Sequence, residues 1–319
     1  MPASIPRVSP FTQAVVQAVR KLYPEKLADS SFDNTGLLLE APYRQQHLKN
    51  SVLLTVDLTK AVADEAISRG DSVIIAYHPI IFRGLKSLTQ ANTQQHTLLR
   101  LAQEGISVYC PHTAVDAAGL TDWLADILTC SNEFGHPGKS TLHERSIITP
   151  LKEPVEGFPG AGYGKIIRFR YPQTLGDIMD RITSGLVLPG LSVAVPQSVP
   201  VGKKAQIKIS SVGLCAGSGG STLNGLDVDL LFTGELSHHE ALAAIEQGKC
   251  VITAFHSNTE RLFLMTRMQN KLFPELQKQI DASIKEGTWE KDLTSDFQIN
   301  ASHVDRDPFE MVDSPWKGW

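Results

Sequence analysis

From residue 51 onward the chain alternates short apolar runs with stretches whose apolar positions fall three and four apart. Ser51–Asp57 (SVLLTVD), Ser72–Tyr77 (SVIIAY) and Ile106–Cys110 read as buried strands. Thr59–Arg69, Thr93–Glu104 and Thr121–Leu128 read as helices. Gly70 and Gly105 directly follow two of these helices, where glycine takes the left-handed cap position without steric cost. The alternation resumes with strands Ile207–Cys215, Val228–Phe232 and Cys250–Ala254, and with helices Ser237–Gln247 and Thr259–Leu272. An earlier helix is announced by Ser9-Pro10, with proline at the first helical position, and by Val15, Val16, Val19 and Leu22 on one face. Buried runs alternating with helices predict α/β layers and largely parallel sheets.

The expected organisation is two similar α/β lobes of layered sheets and helices, residues 1–130 and 205–319, joined by residues 131–204. In the connection, Ser131–Tyr163 is rich in glycine and proline and reads as loop. A βα unit, Lys165–Tyr171 and Leu175–Ser184, follows it, and Pro189–Lys204 reads as extended. The end, Pro315-Trp316-Lys317-Gly318-Trp319, reads as an exposed tail.

Composition narrows the function classes. Lys plus Arg number 30 against 34 Asp plus Glu, a net charge of −4, which excludes a strongly basic nucleic-acid surface. No apolar run approaches the roughly 18 residues of a membrane span. The four cysteines form no CxxC pair, which fits a reducing compartment and argues against a thiolate zinc site. The expectation is a cytoplasmic protein. Met1 to Pro24 carries Arg7, Arg20 and Lys21 and no acid, so a mitochondrial address is the alternative, and a nuclear location stays open.

The candidate chemistry sits just after the buried strands, where open α/β sheets place their sites. His78-Pro79 follows one strand and His112-Thr113-Ala114-Val115-Asp116 another. Thr233-Gly234-Glu235 follows a third, with His238-His239 opening the next helix, and His256-Ser257-Asn258-Thr259-Glu260 follows a fourth. Imidazoles and carboxylates without thiolates suit zinc, iron, manganese or nickel in an open site. Each group also has a plain structural reading. Asp116 sits where a helix cap would. Ser237-x-x-Glu240 and Ser257-x-x-Glu260 both match a capping box. Gly217-Ser218-Gly219-Gly220-Ser221 reads either as a tight turn or as a cradle for an anionic group. Asp33-Asn34-Thr35-Gly36 reads as a turn into a strand.

Taken in order, Asp33-Asn34-Thr35-Gly36-Leu37, Tyr77-His78-Pro79-Ile80-Ile81-Phe82, His112 to Asp116, Thr233-Gly234-Glu235, His238-His239 and His256 to Glu260 resemble the successive signatures of the GTP cyclohydrolase I type 2 homologues, the NIF-three-like family. The likeness runs from about Phe11 to beyond Asp307-Pro308-Phe309. It implies a two-lobed α/β fold assembled as a toroidal homohexamer, with one or two divalent metal ions per chain facing an internal cavity. The matching ligand positions are His78, Asp116, His256 and Glu260. Many members carry two adjacent histidines at the first strand end, whereas this chain has Tyr77 before His78. The family name is not an activity. The leading expectation is a metal-dependent hydrolase of a small nucleotide-like or phosphorylated molecule, with His112, Glu235 or His239 moving the proton. The alternatives are a metal carrier or sensor on the same ligands, and a protein-interaction role such as a transcription co-regulator.

Overall fold

The computed structural model describes residues 8–43, 48–131, 141–289 and 294–311. The acid-free start before residue 8 and the Trp-containing end after residue 311 lie outside the described residues. In chain order the elements are α1 (Pro10–Leu22), β1 (Gly36–Leu39), β2 (Ser51–Thr55), α2 (Lys60–Arg69), β3 (Val73–Ala76), α3 (Thr93–Glu104), β4 (Ser107–Cys110), the short α4 (His112–Val115) and α5 (Thr121–Thr129). They continue as β5 (His143–Pro150), β6 (Gly162–Thr174), α6 (Leu175–Leu186), β7 (Ser192–Ala194), β8 (Lys208–Leu214), the short α7 (Gly220–Leu223), β9 (Leu230–Thr233), α8 (His238–Glu246), β10 (Cys250–Thr253), α9 (Arg261–Phe263), α10 (Gln269–Glu286) and β11 (Gln298–Ala301). The chain divides into two compact units, Met1–Val115 with Phe263–Arg306, and Asp116–Leu262 with Asp307–Trp319.

The first unit holds a five-stranded sheet in the order β1-β4-β3-β2-β11. β11, β2, β3 and β4 run parallel, and β1 joins β4 antiparallel. β2, β3 and β4 are buried along their whole length, which is why they appear in sequence as unbroken apolar runs. One face packs on α2 and α3 through Leu53, Val62, Ala66, Ile74, Leu98, Leu101 and Val108. α1 packs along α10, burying Phe11, Val15 and Val19 on one helix and Leu272, Leu276 and Ile280 on the other. Thr59 caps α2 by accepting from the Val62 amide. Ser9 caps α1 by accepting from the Thr12 amide.

The second unit holds a six-stranded sheet in the order β5-β6-β8-β9-β10-β7. β8, β9 and β10 are parallel; β5, β6 and β7 join antiparallel at the two sides. The first sheet is therefore largely parallel, as expected, whereas the second is mixed. β5 lies inside the stretch expected to be loop. It is an edge strand with alternating exposure, so it offers no apolar run to mark it.

Candidate functional site

In the first unit the parallel ladder carries two histidines to the carboxyl edge of the sheet. The Tyr77 and His78 amides donate to Thr55 O and Val56 O, extending the β2–β3 pairing beyond Ala76. Pro79 then ends it, having no amide to give. His78 Nδ1 lies 2.9 Å from Asp57 Oδ1. A carboxylate only accepts, so Nδ1 carries a proton, and Nε2 is the nitrogen that a neutral ring would present to a ligand.

His112 is built in the same way. Its Nδ1 is 2.7 Å from Asp33 Oδ1, and the Asp33 side chain is 1% exposed. Asp33 also accepts from Asn34 N, Thr35 Oγ1, Thr113 N and Thr113 Oγ1. Burial works to raise the Asp33 pKa, but the bonds from His112, Thr113 and Thr35 outweigh it and hold the carboxyl at about 2. His112 itself sits at φ 25°, outside the ordinary right-handed range. The rings of Tyr77, His78 and His112 meet one another at centroid distances of 5.0 to 5.5 Å. Tyr77 is buried, and its carbonyl accepts from the Cys110 thiol. Asp33-Asn34-Thr35-Gly36 therefore does more than turn the chain into β1: it holds a histidine ring.

In the second unit His256 and Glu260 stand in the turn after β10. His256 Nδ1 is 2.9 Å from Glu235 Oε1, and its Nε2 is 3.5 Å from Glu260 Oε1. Glu260 is only 2% exposed, whereas the Glu235 side chain is 53% exposed. Glu260 does not serve a capping box, because the helical turn Ser257–Thr259 has no side-chain cap. Ser237-x-x-Glu240 does form one at the start of α8. Asp116 opens an irregular turn before α5, which likewise has no side-chain cap. Burial pushes the Cys215 thiol up to about 12 against the lowering effect of its bond with Thr233, and the charges of Asp116 and Glu260 add to the rise. His239 is exposed on the first turn of α8, its ring against His238.

Gly217 sets the space in front of these donors. Its φ is +59°, and a Cβ there would stand 2.8 Å from Glu260 Oε1 and 2.9 Å from His256 Nε2. Only glycine leaves that volume open. The rest of the glycine loop is held internally. Gly217 N donates to Thr259 Oγ1 and Gly219 N to Glu235 O, which favours the tight turn over the anion cradle. A carboxylate and an imidazole facing a volume kept free of carbon is an arrangement that fits a divalent cation.

Asp57 was not singled out in the sequence, although it ends the run Ser51–Asp57 beside the strand that leads to His78. An acid closing a buried strand next to another strand that ends in histidine was the available signal.

Residues 11–291 match the model of the family described as Duf34/NIF3 (NGG1p interacting factor 3). A Schizosaccharomyces pombe protein described as "Protein NIF3 homolog" is 45% identical over 272 residues, covering 84% of this chain and 91% of its own length. The Saccharomyces cerevisiae "NGG1-interacting factor 3" is 42% identical, covering 82% and 90%. A crystal structure of a Bacillus cereus protein related to NIF3 aligns with a TM-score of 0.67 at 22% identity, covering 94% of this chain and 98% of that one. This last likeness bears on the fold alone.

Proposed function

The chain belongs to the Duf34/NIF3 family, and on that footing we propose that it binds a divalent transition metal ion through His78, Asp116, His256 and Glu260. The observation that carries this reading is the pair of carboxylate–histidine arrangements, Asp57 on His78 and Glu235 on His256. Metal-binding histidines are held in this way, one nitrogen tied back and the other presented. Zinc, iron, manganese and nickel all suit such donors, one or two ions per chain.

The activity we propose is hydrolysis of a small nucleotide-like or phosphorylated molecule. A divalent ion held there would supply Lewis-acid activation of a water near neutral pH. In this reading Glu235 orients His256. His112, oriented at Nδ1 by Asp33, would be the residue to take up a proton at Nε2. His239 and Glu235 remain the other proton carriers within this proposal. Storage or sensing of the metal uses the same donors and is the alternative if no turnover accompanies binding. The name of the budding-yeast relative adds a second reading, that a protein partner is bound. A homohexamer, the assembly that the family resemblance implies, is the one we propose for the chain.

Elemental analysis of the purified protein tests the reading. We expect at least one transition-metal ion per chain, with most of it lost in the double variant Asp116→Ala, Glu260→Ala. Equal metal in both preparations would refute the placement. The apoprotein should stay folded, since its sheets do not depend on an ion as a zinc finger does.

A further inference from the structure

His256 is the middle of three residues, and both of its neighbours are held from outside the turn by one short segment, Asp307-Pro308-Phe309. On one side, Asp307 Oδ2 accepts from Ser257 N at 3.0 Å and from Ser257 Oγ at 2.7 Å. On the other, the Phe309 ring packs against Phe255 at a centroid distance of 5.9 Å. Asp307 Oδ1 accepts from the Phe309 amide at 3.0 Å, so the segment is braced on itself. Pro308 fixes one backbone dihedral between the two contacts. We infer that Asp307 and Phe309 are positioning residues that clamp the positions flanking His256 and so set the aim of its Nε2 and of the Glu260 carboxylate. The inference rests on the metal-binding reading above.

The turn also bonds within itself, and the contacts from Asp307 and Phe309 add to that hold at the strained end. Phe255 adopts φ +66°, a left-handed conformation unusual for a bulky residue. After Ala254 the ladder to β9 ends, and the turn is closed by Thr259 Oγ1 on His256 O at 2.8 Å, Asn258 Nδ2 on Ala254 O at 2.9 Å and Glu260 N on Ser257 O at 3.1 Å. On this inference, losing the Asp307 and Phe309 contacts leaves the left-handed Phe255 with less to hold it, and His256 turns with it.

The chemistry also explains why an acid stands at 307. Asp307 is 7% exposed and accepts from three donors. A carboxylate presents acceptors only, whereas an amide of the same shape would turn an N–H₂ toward one of those donors. Charge-assisted bonds are also the stronger kind, which offsets the burial of the charge. Ser257 Oγ is fixed further by Arg261 Nη2 at 2.9 Å, so the grip on this side reaches the residue next to Glu260.

Titration of the full-length apoprotein with Co²⁺ alone tests the clamp, because its visible absorption bands report ligand geometry as well as occupancy. Asp307→Asn should weaken cobalt binding by about tenfold or more, the usual effect of disturbing groups behind metal ligands, and should shift the bands. Phe309→Ala removes a ring that is 68% exposed, so it leaves the core intact and tests the other jaw if Asp307→Asn fails to fold. It should weaken binding in the same direction. Ile178→Val, in the buried face of α6, is the control for general loosening: its melting temperature falls while cobalt affinity and spectrum stay put. Wild-type affinity and spectrum in both Asp307→Asn and Phe309→Ala would overturn the clamp and leave the metal site standing. A wild-type protein that takes up no cobalt would overturn the metal reading, and the clamp with it.

Discussion

Replacing Gly217 by alanine adds one methyl group at the point where two proposed ligands meet. Two costs follow, and they can be separated. Alanine at φ +59° costs roughly 1 kcal/mol relative to glycine, as at any left-handed position. The methyl carbon would also stand 2.8 Å from Glu260 Oε1 and 2.9 Å from His256 Nε2, about half an ångström inside normal contact. Glu260 is buried and cannot swing into solvent, so relief must come from the turn itself. Overpacking of this size costs about 1–3 kcal/mol. Gly225 supplies the comparison within the same unit: its φ is +78°, and a Cβ there meets nothing within 4 Å. Urea unfolding should therefore show Gly225→Ala about 1 kcal/mol less stable than wild type, and Gly217→Ala about 2–4 kcal/mol less stable. Metal titration should separate them more sharply, with Gly225→Ala unchanged and Gly217→Ala weakened at least about tenfold, because the added carbon fills the space where both donors would meet the proposed ion. If Gly217→Ala binds metal as the wild type does, or loses no more stability than Gly225→Ala, the space in front of His256 and Glu260 is not where the ion sits.

Two further perturbations probe the first unit. The Tyr23 hydroxyl is buried without a hydrogen-bond partner among the described residues, and burial pushes its pKa well above the ordinary phenol value, so Tyr23→Phe should raise stability by about 1 kcal/mol in urea unfolding; a loss of that size would show that the hydroxyl is satisfied after all. Asp33 has a folded pKa of about 2, below the ordinary 3.8, so its ionised form adds stability that is fully present above about pH 4 and disappears as the pH falls toward 2. The stability difference between wild type and Asp33→Asn should accordingly shrink by on the order of 2 kcal/mol between pH 5 and pH 2, and a difference that stays constant over that range would refute the His112–Asp33 pairing.

Where burial is continuous, the sequence carries the structure openly. β2, β3 and β4 are apolar at every position because both faces are covered, and α3 runs from Thr93 to Glu104 between an asparagine cap and Gly105, as its periodicity predicts. Where a strand depends on its neighbours, the signal fades. β11 is Gln-Ile-Asn-Ala, with Ile299 alone fully buried, and it exists because β2 offers it a parallel edge almost 250 residues away in the chain. The histidines at the strand ends were legible as chemistry, but which carboxylate each one meets was not. Asp57 lies 21 residues from His78, and Asp33 lies 79 from His112. Only the fold pairs them.

The sharpest case is one local motif with two outcomes. Ser237-x-x-Glu240 and Ser257-x-x-Glu260 have the same spacing, and each follows a parallel strand of one sheet. At Ser237 the backbone is extended, with φ −68° and ψ 158°; the serine accepts from Glu240 N, the glutamate accepts from Ser237 N, and α8 begins. At Ser257 the residue two places earlier, Phe255, is left-handed, and His256 already has helical dihedrals. Ser257 thus falls inside the turn rather than in front of it, and both its amide and its hydroxyl are taken by Asp307. Glu260 is released from capping and faces His256 instead. A buried acid 50 residues downstream thus changes what a four-residue motif does, from closing a helix end to presenting a carboxylate. No window of sequence around residue 257 contains that information, because the competing acceptor is not in it.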